Sequence, residues 1–286
     1  MNTPFEGIVG ESQVGSEETE TIDSDRLLCL IADDRPADLH QIVKDIPDGL
    51  FREIILIDHH CSDQIIKAAH RLGLEIVSAP SESGRGSLMK FCFNLARRRG
   101  VNAFVAFDAG QPRDLESLVP ILNLLDQESW DLIIGARTEK LKKSRPPGMS
   151  RIDYCTSRFR RFLEPLFLGR QFLDSGSDFI ACSSHLLWAT RYSEMSDGDV
   201  FDWQFMNQIL ASGYRVGEVP IPVTRFQSAT RKNWLQNALS LLQTMAVAID
   251  HQFGRWIGKD RIFFRTRKKL VPVPVLKSKP SMDLHR

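Results

Sequence analysis

From Leu27 onward, short apolar runs rich in Leu, Ile and Val alternate with longer segments whose apolar residues recur every three or four positions. The short runs predict strands over Leu27 to Ala32, Glu53 to Asp58, Leu74 to Ala79, Ala103 to Asp108 and Asp131 to Gly135. Between them, "PADLHQIVKDI", "SDQIIKAAHRL", "GSLMKFCFNLARRR" and "RDLESLVPILNLLDQ" carry helical spacing. A βαβα rhythm of this kind makes an α/β fold, a mostly parallel central sheet flanked by helices on both faces. Ligands bind such sheets beyond the carboxyl ends of the strands. Asp58 and Asp108 both stand at such ends, so two carboxylates are expected to converge there.

The second half is less regular. "SRPPGMS" is a turn-rich break, followed by the basic, aromatic helical pattern of "RIDYCTSRFRRFLEPLF" and then by "LDSGSDFIACSSHLLW". "DVFDWQFMNQILASGYRVGEVPIPVTR" reads as a helix, a stop at Gly213 and a strand ending at the Pro220/Pro222 pair. A C-terminal amphipathic helix is expected over about Asn233 to Trp256, with Leu235, Leu239, Leu242, Met245, Ala246 and Ile249 near helical spacing.

Charge narrows the classes of partner. With 37 Lys and Arg against 36 Asp and Glu, global charge gives no reason to expect a nucleic acid. The five cysteines are scattered and never form C-x-x-C, which favours neither a disulfide framework nor a structural zinc, and suits a reducing, cytoplasmic setting. The first 25 residues are acidic and polar, without a basic start or apolar stretch, and read as a disordered leader rather than a signal peptide. The longest mostly apolar run, near the C-terminus, has roughly a dozen residues against the ~20 that span a bilayer. No transmembrane helix is expected. The same region does combine Trp256, Phe263 and Phe264 with an Arg-Lys cluster, which suits packing on the domain or peripheral contact with a membrane surface.

The stretch "EIILIDHHCSD" contains Asp58-His59-His60-Cys61, a quartet with three readings. Zinc-dependent acyl transfer needs a Cys/His framework and membrane helices around the quartet, and neither is present. A two-metal phosphoester hydrolase needs upstream His and Asp ligands. Only Asp33, Asp34, Asp38 and His40 stand upstream, without a His-x-Asp pair. The third reading is a strand-end turn.

Taken as an ordered series over roughly Leu27 to Arg225, the chain resembles the family-2 glycosyltransferases of GT-A fold, in particular the dolichyl-phosphate mannose synthase-like branch. "LIADDR" stands where that family has Ile-Pro-Ala-Tyr-Asn-Glu, and "IDHHCSD" where it has Val-Asp-Asp-Gly-Ser-x-Asp. Gly84-Arg85-Gly86 matches a Gly-Lys-Gly loop, "DAGQ" at Asp108 to Gln111 matches Asp-Ala-Asp-Gly-Gln, and Gly135-Ala136-Arg137 matches Gly-Ser-Arg. Ser177-Asp178-Phe179, "GDVFDWQF" and "GYRVGEVPI" follow in the family's order.

The resemblance implies an inverting hexosyltransferase that moves a sugar from a nucleotide-diphosphate sugar to an acceptor such as a polyprenyl phosphate or other lipid or glycan. It places Ala32, Asp33, Asp58, Arg85 and Asp108 at the nucleotide sugar, Asp202 and Arg137 in catalysis, and Asp108 with Gln111 at Mg²⁺ or Mn²⁺. Departures from the pattern each remove a carboxylate: "DAGQ" lacks the second metal-binding Asp, where a one-residue deletion keeps Gln111 aligned and Gly110 offers no side chain, His59 replaces the second Asp of the nucleotide motif, and Gln204 a Glu. Asp114 lies close enough in sequence to join a rearranged metal site, or Arg85, Arg137 and Arg145 neutralise the diphosphate instead. Asp58 has a competing reading as a helix cap, and so has Asp202. Glu218 reads as a structural partner. The rival to a transferase is a degenerate GT-A-like domain that binds or scaffolds. The implied organisation is a leader over 1–25, the GT-A-like domain over 26–228, the amphipathic helix and basic segment over 229–270 and a flexible tail over 271–286.

Overall fold

The computed structural model describes residues 25–80, 84–111, 115–127, 130–137, 151, 154–155, 158–159, 162, 172–174 and 177–221. Among them are seven strands: β1 (Arg26–Ala32), β2 (Glu53–Asp58), β3 (Glu75–Ser78), β4 (Ala103–Asp108), β5 (Leu132–Arg137), β6 (Ile180–Ser183) and β7 (Val216–Ile221). The helices are α1 (Leu39–Asp45), α2 (Asp63–Arg71), α3 (Arg85–Arg99), α4 (Leu118–Asp126), α5 (Ser184–Ala189) and α6 (Phe201–Ala211). The leader, the segment 229–270 with its expected amphipathic helix, and the tail lie outside the described residues.

The strands form one sheet in the order β3-β2-β1-β4-β6-β5-β7. β1 lies inside the sheet, between β2 and β4, with every residue buried, as an apolar run from Leu27 onward must be when helices cover both faces. Its side chains divide with the two-residue period of a strand. Leu27, Cys29 and Ile31 join a core layer with Phe93, Phe104, Tyr192, Phe201 and Phe205, packed under α3, α5 and α6. Leu28, Leu30 and Ala32 join the opposite layer with Leu39, Ile65, Phe107, Ile121 and Leu122, under α1, α2 and α4. Phe93 meets Phe104 and Tyr192 edge to face at 5.6 and 5.2 Å, a preferred arrangement for packed rings.

Register places the site. β1 runs parallel to both neighbours, with Ala32 beside Asp58 on one side and Ile31 beside Asp108 on the other. The two carboxylates therefore flank the carboxyl end of β1 about two strand spacings, roughly 10 Å, apart. β5 and β7 are also parallel, with Arg137 beside Ile221.

The strand β6 departs from the parallel rule. It runs antiparallel to both β4 and β5, pairing Ala103 with Ser183 and Leu132 with Cys182. It comes from "LDSGSDFIACSSHLLW", where the apolar run is too short to declare an element, and it separates the strands that end in Asp108 and Arg137. The expected stop after α6 falls at Gly213, whose φ of +84° is left-handed, and β7 ends between the two prolines.

Candidate active site

At the carboxyl end of β2, Asp58-His59-His60-Cys61 is a closed turn. Asp58 Oδ1 accepts from the Cys61 N–H at 2.8 Å, and the Ala32 carbonyl accepts from the His59 N–H at 2.9 Å and from the Cys61 thiol at 3.3 Å. His60 takes a left-handed φ of 67°, uncommon for a residue with a side chain. Asp58 thus fastens the turn before α2 rather than capping the helix, whose N-cap is Ser62. Burial, with Asp58 alongside, pushes the Cys61 thiol up to about 12, so it is a protonated donor and not a nucleophile.

Next to this turn, the chain leaving β1 folds Arg35 across the carboxyl end of β4. The Arg35 Nε donates to both oxygens of Asp33 at 2.9 and 2.8 Å, and its Nη2 donates to Asp108 Oδ2 at 2.5 Å. The other Asp108 oxygen, Oδ1, accepts from the Gly110 N–H at 2.8 Å. Burial works against the charged guanidinium, yet Asp108 and Asp33 outweigh it and hold Arg35 above its ordinary value. The Asp108 carboxyl is itself pushed above the usual range by burial and by nearby Asp178, which Arg35 and Gly110 only partly offset. Arg35 Nη1, out of contact with water, has no hydrogen-bond partner among the described residues. A buried donor in that state costs roughly 1–3 kcal/mol.

On the other face of the sheet's edge, Gly84-Arg85-Gly86 opens α3 as the motif requires. A Cβ on Gly86 would fall 2.1 Å from the Ser196 carbonyl oxygen, so only glycine lets that backbone approach. The first free amides of α3 are already taken: Gly86 N–H donates to the Gly198 carbonyl at 3.2 Å and Ser87 N–H to the Asp197 carbonyl at 3.0 Å. Lys90 reinforces the contact, donating to the Met195 carbonyl and to Asp197 Oδ1. Gln204, where the family has Glu, accepts from the Ser196 N–H at 2.6 Å and holds the same loop. Arg85 reaches Asp202 Oδ2 at 3.4 Å and the Ser177 carbonyl at 3.1 Å. Asp202 lies in the first turn of α6, beyond the N-cap Val200, and its carboxylate faces Arg85.

At the carboxyl end of β5, Arg137 is held by Asp174. Its Nε and Nη2 donate to the two Asp174 oxygens at 2.5 and 2.9 Å, a bidentate pair in which the side chains are 10% and 1% exposed. Burial opposes the Arg137 charge, but Asp174, with Asp178 and Asp108 farther off, keeps its pKa raised. Glu218, fully buried on β7, accepts from the Leu173 and Asp174 amides at 2.9 to 3.1 Å and fixes the segment that carries Asp174. The expectation of a structural role for Glu218 agrees with these contacts. Gln111 is buried directly after the β4 end, while Asp114 and Arg145 lie outside the described residues.

Sequence reading missed Arg35 as the partner of Asp108, and Asp174 as the partner of Arg137. The first had a signal: a basic residue replacing an acidic one beside two aspartates, at a strand end known to face Asp108. The second had none, because 37 residues separate the pair.

The divalent cation that the resemblance implies is hard to fit to these donors. It asks for several oxygen ligands. Both Asp108 oxygens already accept hydrogen bonds, position 110 offers no side chain, and no group of three or more His, Cys, Asp or Glu among the described residues is arranged to hold a metal.

No family model and no curated sequence matches the chain. Solved structures do. A glucosyl-3-phosphoglycerate synthase from Mycobacterium tuberculosis superposes with a TM-score of 0.56 at 18% identity, covering 79% of this chain and 80% of that one. The same enzyme in complex with Mn²⁺, uridine diphosphate and glucosyl-3-phosphoglycerate matches with a TM-score of 0.56 at 18% identity, over 79% of each chain. Its complex with Mn²⁺, UDP-glucose and phosphoglyceric acid gives 0.56, 18% and 79% of each chain again. The likeness establishes the fold, a GT-A-type nucleotide-diphospho-sugar transferase fold.

Proposed function

We propose that this chain transfers a sugar from a nucleotide-diphosphate sugar to an acceptor. The observation that carries the reading is the register around β1, which brings Asp58 and Asp108 to the two sides of one strand end on a GT-A fold. Ala32, Asp33 and Asp58 would line the nucleoside, with Arg85 and Asp108 toward the diphosphate and sugar. Arg137 and Asp202 would stand at the reacting end, Asp202 orienting the acceptor or taking its proton, in an inverting transfer of a hexose.

Neighbouring structures bound to phosphoglyceric acid or glycerol 3-phosphate support an acceptor that carries a phosphate. A polyprenyl phosphate shares that chemistry and suits the basic, aromatic C-terminal segment, whose peripheral membrane contact is part of the proposal. Among the described residues no helix is long and apolar enough to cross a membrane. Neighbours crystallised with Mn²⁺ or Mg²⁺ and UDP make a divalent cation the expected cofactor by likeness, on Asp108 and Gln111, but the donors at those positions do not fit it.

A second reading, a degenerate domain that binds without turning over, is favoured by one observation: Asp108 is engaged by Arg35 and has no second carboxylate at position 110. Calorimetric titration with UDP- and GDP-sugars, with Mn²⁺ or with chelator, separates the two when paired with a turnover assay. Binding with turnover is expected. Binding without turnover favours the scaffold, and absence of binding to every nucleotide sugar under both conditions rejects the transferase.

A further inference from the structure

We propose that the Arg35 guanidinium occupies the place of a divalent cation on Asp108, so that a nucleoside diphosphate binds this chain without metal. The inference rests on the nucleotide-sugar reading above and specifies how that site meets the charge of its ligand.

Geometry supplies the first argument. Arg35 bridges Asp33 and Asp108, with Nε on one carboxylate and Nη2 on the other at 2.5 Å, as a cation between two acidic ligands would. Guanidinium is a natural replacement, because its planar donors suit carboxylate and phosphate oxygens alike. Its Nη1 is buried and lacks an acceptor among the described residues, which leaves a donor to be satisfied by an anionic oxygen.

Position 110 supplies the second, independent argument. A Cβ added to Gly110 would stand 3.2 Å from Asp108 Oδ1 and 3.4 Å from Arg35 Cζ. A carboxylate-bearing side chain there would compete for the volume that the guanidinium fills. The missing acidic side chain at 110 and the arginine at 35 are therefore two halves of one exchange: the chain gives up a metal ligand at the place where it installs a fixed positive charge. Arg85 and Arg137, the other arginines expected to neutralise the diphosphate, are themselves engaged by Asp202 and Asp174.

The test measures UDP and GDP binding to the full chain by calorimetry, in EDTA and in Mn²⁺, for wild type and Arg35→Gln. Mn²⁺ binding to both proteins is followed separately by electron paramagnetic resonance without nucleotide. Wild type is expected to bind the diphosphate equally, within about twofold, in either condition. Arg35→Gln should lose tenfold or more in EDTA and regain affinity in Mn²⁺, since Asp33 and Asp108 are then released to a metal. A tenfold or greater gain by wild type on adding Mn²⁺ overturns the proposal. If neither nucleotide binds under any condition, the transferase reading and metal-free nucleotide binding fail together, and the resonance measurement decides the remaining claim, that Arg35 holds the cation's place on Asp108. Mn²⁺ binding tenfold or more tighter in Arg35→Gln upholds that exchange, and equal Mn²⁺ affinity of the two proteins overturns it. Circular dichroism confirms that the variant is folded, and Gly110→Asp, which crowds Arg35 without removing it, is expected to gain Mn²⁺ affinity in the same direction.

Discussion

The turn after β2 and the strand ends of β4 and β5 carry the same sequence sign, a charged residue closing an apolar strand, yet they are built in opposite ways. The β2 turn is self-contained: Asp58 bonds the amide three residues on, and Cys61 and His59 return to the adjacent strand through Ala32. The β4 and β5 ends are assembled from afar, Asp108 by Arg35 from 73 residues away and Arg137 by Asp174 on a segment hung from Glu218. A local turn loses little when one bond is cut. A buried ion pair leaves behind an unpaired charge.

That contrast sets the scale of each substitution. Asp174→Ala should be the most damaging, costing about 3–5 kcal/mol because Arg137 stays buried without its partner. Urea unfolding measures it, and a loss under about 1 kcal/mol would mean that another carboxylate captures Arg137. Gly86→Ala should cost about 1–3 kcal/mol by pushing the 196–198 loop from α3. It should also weaken nucleotide-sugar binding by moving Asp202 from Arg85. Full stability in this variant would show the close approach to be dispensable.

Asp58→Ala should cost only about 1 kcal/mol, the worth of one turn hydrogen bond. On the proposed function it nevertheless abolishes nucleotide binding, so stability and affinity separate at this residue. A variant with unchanged affinity would remove Asp58 from the ligand site.

The smallest effect concerns Cys61. Its folded pKa, raised from 9.0 to about 12, means that the folded chain holds this proton more tightly than the unfolded one. The thiol's contribution to stability is therefore full below about pH 9 and fades as pH rises toward 12. At pH 8 the three-unit shift leaves roughly a thousandth of the thiolate of an unshifted cysteine. Alkylation by iodoacetamide, read by peptide mass spectrometry, should spare Cys61 while labelling the exposed Cys155, and Cys61 labelling should rise with pH. Equal rates at pH 8 would show that the β2 turn is open in solution.

Legibility in the sequence follows the same division. β1, β2 and β4 could be read to within a residue because buried parallel strands are unbroken apolar runs, and Asp58 and Asp108 fell at their ends for that reason. The stop at Gly213 was legible because a left-handed helix terminus selects glycine. β6 was not, since four residues between neighbours that come from elsewhere in the chain carry no pattern of their own. Arg35 was visible as an odd residue but not as a partner of Asp108, because pairing across the sheet is decided by the strand order. The glycines of Gly84-Arg85-Gly86 looked like a loop shaped for a ligand. One of them is shaped for the protein's own backbone.

The antiparallel strand among the described strands also has a consequence in time. β4 is paired on one side by β1, but its other partner, β6, ends at Ser183, and β5 must wait for the same strand before it joins the sheet. At a synthesis rate of about 5–20 residues per second, the roughly 75 residues after Asp108 take on the order of 4–15 s to emerge. Throughout that interval the strand Ala103–Asp108, apolar up to Asp108, has unsatisfied backbone groups on one side, a template for pairing with another growing chain. The strand that joins β4 to β5 is thus also the one that closes this edge in the nascent protein.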